Sequence, residues 1–251
     1  MDTIMITGCS SGFGRETARH FLDEGWHVVA TMRSPDEGAL PASERLRVLA
    51  LDVTDRRSIA DAVATAGDID ALVNNAGIGW MGPLEGTSEE TIRTLFDTNT
   101  FGTMEMVRAV LPRMRERGSG TIVNVSSSTT LKPLPLLPVY TASKAAVNAF
   151  TECLAIELEP FGIRTRLVLP GQAPGTSFAR NAQAMGAGAG GIPDPYTPLA
   201  ERVFAARAAA AGIKLTEPGD VVAAIWRAVT EPDCPLHLPA GADAVALARE
   251  S

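Results

Sequence analysis

Short runs rich in β-branched and aliphatic residues alternate along the chain with stretches that repeat their apolar side chains at helical spacing. TIMIT precedes GRETARHFLDEG, and HVVATM follows. LRVLALDV leads into SIADAVATAG, ALVNNAG into SEETIRTLFDTNTFGTMEMVRAVLPRM, TIVNVSS into VYTASKAAVNAF, and RTRLVLP comes last. This alternation predicts an α/β fold in which right-handed βαβ crossovers place helices on both faces of a parallel sheet. The C-terminal ends of the strands then share one rim, where ligand sites are expected to gather. Ser88, with Glu90 and Thr91 after it, is placed to cap its helix. Pro218, Gly219 and Asp220 open a later one, DVVAAIWRAVTE, ahead of a final strand in PLHLP.

One region breaks the rhythm. Residues 171–212 carry PGQAPGTSF, AMGAGAGGIPDPYTPL and the Ala-rich ERVFAARAAAAG. Gly and Pro clusters interrupt regular structure there while the flanks suit short helices. The segment reads as a flexible substrate lid, with a plain surface insertion as the alternative.

Size and charge narrow the partners. The 251 residues, 45% of them hydrophobic, suffice for one α/β domain spanning 1–251 with its own core. Lys and Arg total 22 against 29 Asp and Glu, and the basic residues are scattered, so the field opposes nucleic acid and anionic membrane. Small molecules and copies of the same chain are the expected partners. MDTIMITG runs into a strand without the charged, apolar and small-residue regions of a signal peptide, and no apolar run is long enough to span a bilayer, so a cytoplasmic location is expected. Cys9, Cys153 and Cys234 are widely spaced and suit reduced thiols. His20, His27 and His237 are isolated, and no metal site is expected.

Candidate chemistry lies at three places. Tyr140 and Lys144 stand one turn apart on a predicted helix, where an ammonium beside a phenol favours the phenolate and pulls its pKa down from about 10. TGCSSGFG puts Gly8, Gly12 and Gly14 at the turn into the first helix. Glycines there admit a sharp turn and let backbone N–H groups approach a pyrophosphate, with Ser10 and Ser11 adding hydroxyl donors. At the end of the second strand stand Thr31, Met32 and Arg33 in place of an acidic residue. A guanidinium fork suits a 2′-phosphate, so NADP(H) is favoured over NAD(H).

With TGCSSGFG, the LDV of Leu51 to Val53, the NNAG of Asn74 to Gly77, Asn99, VSSS and YTASK all in order, the chain resembles the short-chain dehydrogenase/reductase family. Its wording is most similar to the 17β-hydroxysteroid dehydrogenase-like branch. The resemblance implies a doubly wound, Rossmann-type domain with a seven-stranded parallel sheet in the order 3-2-1-4-5-6-7. It implies roles as well. Tyr140 would donate a proton to a carbonyl oxygen or take one from an alcohol, and Lys144 would hold the nicotinamide ribose and stabilise the phenolate. Ser127, rather than Ser126 or Ser128, stands at the family's spacing before the tyrosine and would bond the substrate oxygen. Asn99 would hold a water linked to Lys144, or be a buried structural asparagine. Gly8, Ser10, Ser11, Gly12, Phe13, Gly14 and Arg33 would line the phosphate side, and Asp52 and Val53 the adenine. Asn75, Ala76 and Gly77 would line the channel, with Pro170, Gly171 and Thr176 beside the carboxamide.

Two departures from the family pattern stand out. Thr176 comes about one position late after Pro170-Gly171, and Gly186 to Gly191 replaces the bulk that would shape a steroid-sized pocket. The implied activity is an NADP(H)-dependent ketone or aldehyde reductase, or the reverse alcohol oxidation. Thr129 to Val139, Trp80, Met81 and the 171–212 segment would contact substrate. A non-catalytic NADP-sensing protein is the alternative, and a homodimer or homotetramer built on the long helices after strands four and five is the expected assembly.

Overall fold

The computed structural model describes residues 2–174, 176, 192–209 (the last three by backbone alone) and 214–250. Seven strands form one sheet: β1 (Thr3–Thr7), β2 (His27–Met32), β3 (Leu46–Ala50), β4 (Ala71–Asn74), β5 (Gly120–Val125), β6 (Ile163–Pro170) and β7 (His237–Ala240). Their order is β3-β2-β1-β4-β5-β6-β7, and every pairing is parallel. The expected topology is therefore the observed one. Chain order reverses between β1 and β4, the place at the strand C-termini where doubly wound sheets take their ligands.

The strands read as continuous apolar runs because both faces are covered. Ile4 and Ile6 point into a core with Phe21, Val28, Ala30 and Ile225. Met5, between them, points into the opposite core with Val29, Leu72, Met106, Ile122 and Leu154. Each of the Ile, Met, Phe, Val and Leu side chains, where fully buried, contributes about 1.5–3 kcal/mol. The helices among the described residues are α1 (Gly12–Asp23), α2 (Arg56–Ala66), α3 (Glu89–Phe96), α4 (Gly102–Arg117), α5 (Pro138–Leu158), α6 (Thr197–Ala209), α7 (Pro218–Thr230) and α8 (Ala242–Glu250).

Local signals act as expected at two helix starts. Ser88 Oγ accepts the Thr91 N–H at 3.1 Å and caps α3. The Asp220 carboxylate accepts the Glu217 N–H at 2.9 Å at the start of α7. The long run from Ser88 to Met114 is not one helix, however. A π-turn at Asp97–Phe101 separates α3 from α4. An inserted turn of this kind re-aims a side chain within an otherwise helical path, and here it carries Asn99 inward to full burial. Apolar periodicity does not register the extra residue. Gly186 to Gly191 lies outside the described residues.

Candidate active site

The glycine turn and the NNAG loop are built against each other. Gly8 and Gly12 have φ of 75° and 58°, in the left-handed region that other residues adopt at a cost. Gly14 has no room for a side chain: a Cβ there would collide with the Gly8 carbonyl and stand 2.5 Å from Asn75 Nδ2. That nitrogen donates to the carbonyls of Thr7 at 2.9 Å and Gly8 at 3.2 Å. Thr7 Oγ1 accepts in return from the N–H groups of Asn75 and Ala76 at 3.0 and 2.9 Å. Thr7 was not singled out from the sequence, since a Thr ending a strand is unremarkable there. Ser10 is exposed, and Ser11 and Phe13 are half-buried. Ser11 occupies the N-cap of α1 without a side-chain bond, and the first turn of that helix holds no acidic residue. The leading N–H groups are thus left for an anion.

Beside this loop the π-turn delivers Asn99. Its Oδ1 accepts the Ile78 N–H at 2.9 Å, and its Nδ2 donates to the Ile78 carbonyl at 3.0 Å and to Ser143 Oγ at 3.1 Å. The side-chain amide therefore fastens the chain beyond NNAG to α5. Lys144 is buried, and its Nζ donates to the Val125 carbonyl at 3.0 Å. A Cβ on Gly77 would stand 3.2 Å from Asn99 Oδ1 and 3.3 Å from Lys144 Nζ. The missing side chain leaves a narrow space faced by both.

At the end of β5 the chain turns through Ser126, Ser127 and Ser128, all buried. Ser127 Oγ accepts from the Thr129 N–H at 3.2 Å and from the Thr129 hydroxyl at 3.1 Å. Tyr140 is also hydrogen-bonded to Ser127. Ser126 Oγ donates instead to Asn148 Oδ1 at 2.5 Å, pointing away into α5. The structure thus bonds Tyr140 to Ser127, brings Lys144 and Asn99 to the space at Gly77, and sets Ser126 apart. Leu136, just before α5, has φ of 64°, and its carbonyl accepts the Gly82 N–H at 2.7 Å. This strained leucine ties the approach to Tyr140 to the loop after β4, where Trp80, Leu137 and Val139 pack with Tyr140, and Met81 and Leu134 join them.

Burial, not the neighbouring ammonium, governs the two titrating groups. Desolvation pushes the Tyr140 phenol up to about 12, opposed by its bond to Ser127. Desolvation pulls Lys144 down to about 8. The sequence led us to expect a lowered phenol. A charged state costs more in an apolar wall than that neighbour returns.

The remaining positions spread along the rim. Arg33 is exposed at the end of β2. The Asp52 carboxylate accepts the Thr54 N–H and hydroxyl at 2.9 and 2.7 Å, and these bonds, followed by the charge of Arg33, hold its pKa below the usual value. Val53 is buried against Gly102 at the start of α4. Farther along the rim, Gly171 follows Pro170 at the end of β6. Its N–H donates to Thr216 Oγ1 at 3.0 Å, and the Gln172 N–H to Asp243 Oδ2 at 2.7 Å. Thr216 and Asp243, bonded to each other at 2.6 Å, were not foreseen, because no spacing connects them to Pro-Gly. Thr176 is buried, donates its hydroxyl to the Ala173 carbonyl at 2.8 Å and lies 3.7 Å from where a Cβ on Gly12 would stand. It also lines a cavity of about 280 Å³ with Pro174, Leu215 and Thr216.

Cys9 is buried and donates to the Ile6 carbonyl at 3.2 Å, and burial raises its thiol to about 12, so it serves packing. All three cysteines are free. Among the described residues no cluster of His, Cys, Asp and Glu could hold a metal ion, and no helix is long and apolar enough to cross a membrane.

Comparison with known proteins places the chain in a family. A 3-ketodihydrosphingosine reductase of Bacteroides thetaiotaomicron is 41% identical over 172 residues, covering 67% of this chain and 62% of that protein. Human 17-beta-hydroxysteroid dehydrogenase type 1 is 39% identical over 179 residues, covering 66% and 55%. The matched region thus spans about three fifths of the length of these curated relatives. Among solved structures, a short-chain dehydrogenase from Streptomyces avermitilis superposes with a TM-score of 0.83 at 35% identity, over 100% of this chain and 92% of that one. A serine dehydrogenase complexed with NADP+ does so with 0.79 at 32% identity, over 94% and 93%. A 3-ketoacyl-(acyl-carrier-protein) reductase from Brucella melitensis complexed with NADH gives 0.78 at 25%, over 94% and 95%. The short chain dehydrogenase family model matches residues 2–186, and the chain belongs to that family of oxidoreductases.

Proposed function

We propose that the protein reduces a ketone or aldehyde, or oxidises the matching secondary alcohol, with NADP(H) as its cofactor. The observation that carries this reading is that Tyr140 is hydrogen-bonded to Ser127 while Lys144, one turn along the same helix, faces the bare Gly77 at the rim where the glycine turn also lies. The residues suit an anionic dinucleotide. Gly8, Gly12 and Gly14 present backbone without side chains, and the uncapped start of α1 presents N–H groups. Asn75, Ala76 and Gly77 would line its course, Asp52 and Val53 its adenine, and Pro170, Gly171 and Thr176 its carboxamide. Arg33 would take the 2′-phosphate, and the preference for NADP(H) rests on its charge.

When bound, the cofactor supplies the hydride to the carbonyl carbon. The Tyr140 phenol, kept protonated at neutral pH by burial, gives its proton to the carbonyl oxygen, so that the carbonyl becomes an alcohol. Ser127 donates to the oxygen as negative charge grows there. Lys144, buried next to this point, holds the ribose and offsets the phenolate left behind. The amide of Asn99 keeps the Gly77 channel open, and its Oδ1, facing the same space as Lys144 Nζ, suits a water linked to the lysine. Trp80, Met81, Leu134 and Leu137 make the wall near Tyr140 apolar, which supports a carbonyl carried on an apolar skeleton. Phe101 and Ile156 are 54% and 75% exposed at the start of α4 and on α5, which supports a homo-oligomer.

The test is NADPH oxidation against steroid, sugar, quinone and simple ketone panels by the wild type and Tyr140→Phe. Turnover of at least one member is expected, lowered about 10²–10⁴-fold by the substitution. An undiminished Tyr140→Phe rate removes the mechanism. Cofactor binding without turnover on any panel member supports the sensing alternative.

A further inference from the structure

The proton donor is set by a residue that the Ser-Tyr-Lys-Asn set does not include. Ser127 caps the short turn Ser128–Thr130, so its oxygen receives the Thr129 N–H at 3.2 Å. The Thr129 hydroxyl donates to the same oxygen at 3.1 Å. A hydroxyl has two lone pairs and one hydrogen. With both lone pairs engaged by one residue, Ser127 can act outward only as a donor, toward the phenolic oxygen to which it is bonded.

The turn that holds Thr129 is itself braced. Thr130 Oγ1 donates to the Ser127 carbonyl at 2.7 Å, Asn148 Nδ2 donates to Thr130 Oγ1 at 3.0 Å, and Ser126 Oγ donates to Asn148 Oδ1. This chain of bonds ties the turn to α5, the helix that carries Tyr140.

We propose that Thr129 is a positioning residue that fixes the direction of the Ser127–Tyr140 hydrogen bond, keeping Ser127 the donor and the Tyr140 proton free for the substrate. Without the second hydroxyl, Ser127 can turn its hydrogen elsewhere and accept from Tyr140, which draws the phenolic proton away from the carbonyl. With it, Ser127 remains a donor throughout, to the phenolic oxygen in the free protein and to the substrate oxygen as charge grows there, and the Tyr140 proton stays available for that same oxygen.

The inference rests on the catalytic reading above, so Tyr140→Phe is measured alongside. Thr129→Val keeps the shape and removes the hydroxyl, Thr129→Ala removes it without added bulk, and Thr129→Ser keeps it. For Val and Ala, kcat for carbonyl reduction is expected to fall about tenfold, with KM for the carbonyl and Kd for NADPH within about twofold of wild type. Ser is expected to hold kcat within about twofold. Wild-type kcat in whichever of Val and Ala folds, judged by melting temperature, overturns the proposal. So does a Ser variant as slow as Val, which would assign the effect to the methyl group. If Tyr140→Phe is inactive while Thr129→Val is normal, only the Thr129 inference fails. If Tyr140→Phe is fully active, the catalytic reading fails and takes this inference with it.

Discussion

Asn99 and Ile78 are bonded to each other twice, side-chain oxygen to N–H at 2.9 Å and side-chain nitrogen to carbonyl at 3.0 Å, as one strand pairs with another. A buried amide is thereby spent on the backbone of the loop that follows NNAG. This one side chain connects the π-turn, the cofactor-side loop and, through Ser143, the helix of Tyr140 and Lys144.

Asn99→Ala should therefore act on stability as well as on rate. It leaves the half-buried N–H and carbonyl of Ile78 without this partner, at a cost of up to about 1–3 kcal/mol each. Urea unfolding should show a lowered midpoint, and a variant as stable as wild type would mean that the loop finds other partners.

Gly14→Ala should damage the cofactor side without touching the reacting groups. The added methyl meets the Gly8 carbonyl and the Asn75 amide, so α1 has to move away from the turn at a cost of about 1–3 kcal/mol. Kd for NADPH, followed by fluorescence, should rise at least about tenfold, the equivalent of 1.4 kcal/mol. Unchanged affinity would show that the turn yields freely.

The reductive rate should depend on pH through Lys144 rather than Tyr140. The phenol, raised to about 12, remains a proton donor across the neutral and mildly alkaline range. The ammonium, lowered to about 8, is present below that pH and lost above it. For reduction, kcat/KM, which reports groups of the free protein, should be level near pH 6–7 and fall as pH rises through about 8. A profile flat to about pH 10 would contradict the lysine's part.

Arg33→Ala should separate the two dinucleotides. A guanidinium bonded to a phosphate is worth about 1.5–3 kcal/mol, so KM for NADPH should rise roughly ten- to a hundredfold while KM for NADH changes little. Equal losses for both would overturn the preference for the phosphorylated cofactor.

How far the sequence spoke varied from residue to residue. Gly8, Gly12 and Gly14 were legible because a tight turn between strand and helix restricts the residue type locally. Tyr140 and Lys144 were legible because helical spacing alone puts them on one side of α5. Asn99 could be named from the order of motifs, but the bonds that occupy its amide depend on a π-turn that leaves no mark in the apolar pattern. Thr7, Asn148, Thr216 and Asp243 were silent, and Thr129 was named only as the start of a substrate-contacting stretch. Their partners include residues on other segments, such as Asp243 with Gln172, 71 positions away.

The alternation of strands and helices, the parallel sheet and the place of the glycine turn could be read from order along the chain, since each follows from periodicity or from the backbone freedom of a few neighbouring residues. Electrostatics and proton geometry came only with packing. Whether the phenol of Tyr140 is raised or lowered depends on how many apolar neighbours exclude water from it. Which way Ser127 donates depends on which hydroxyl the turn brings to its lone pairs, and both are properties of packing rather than of order along the chain.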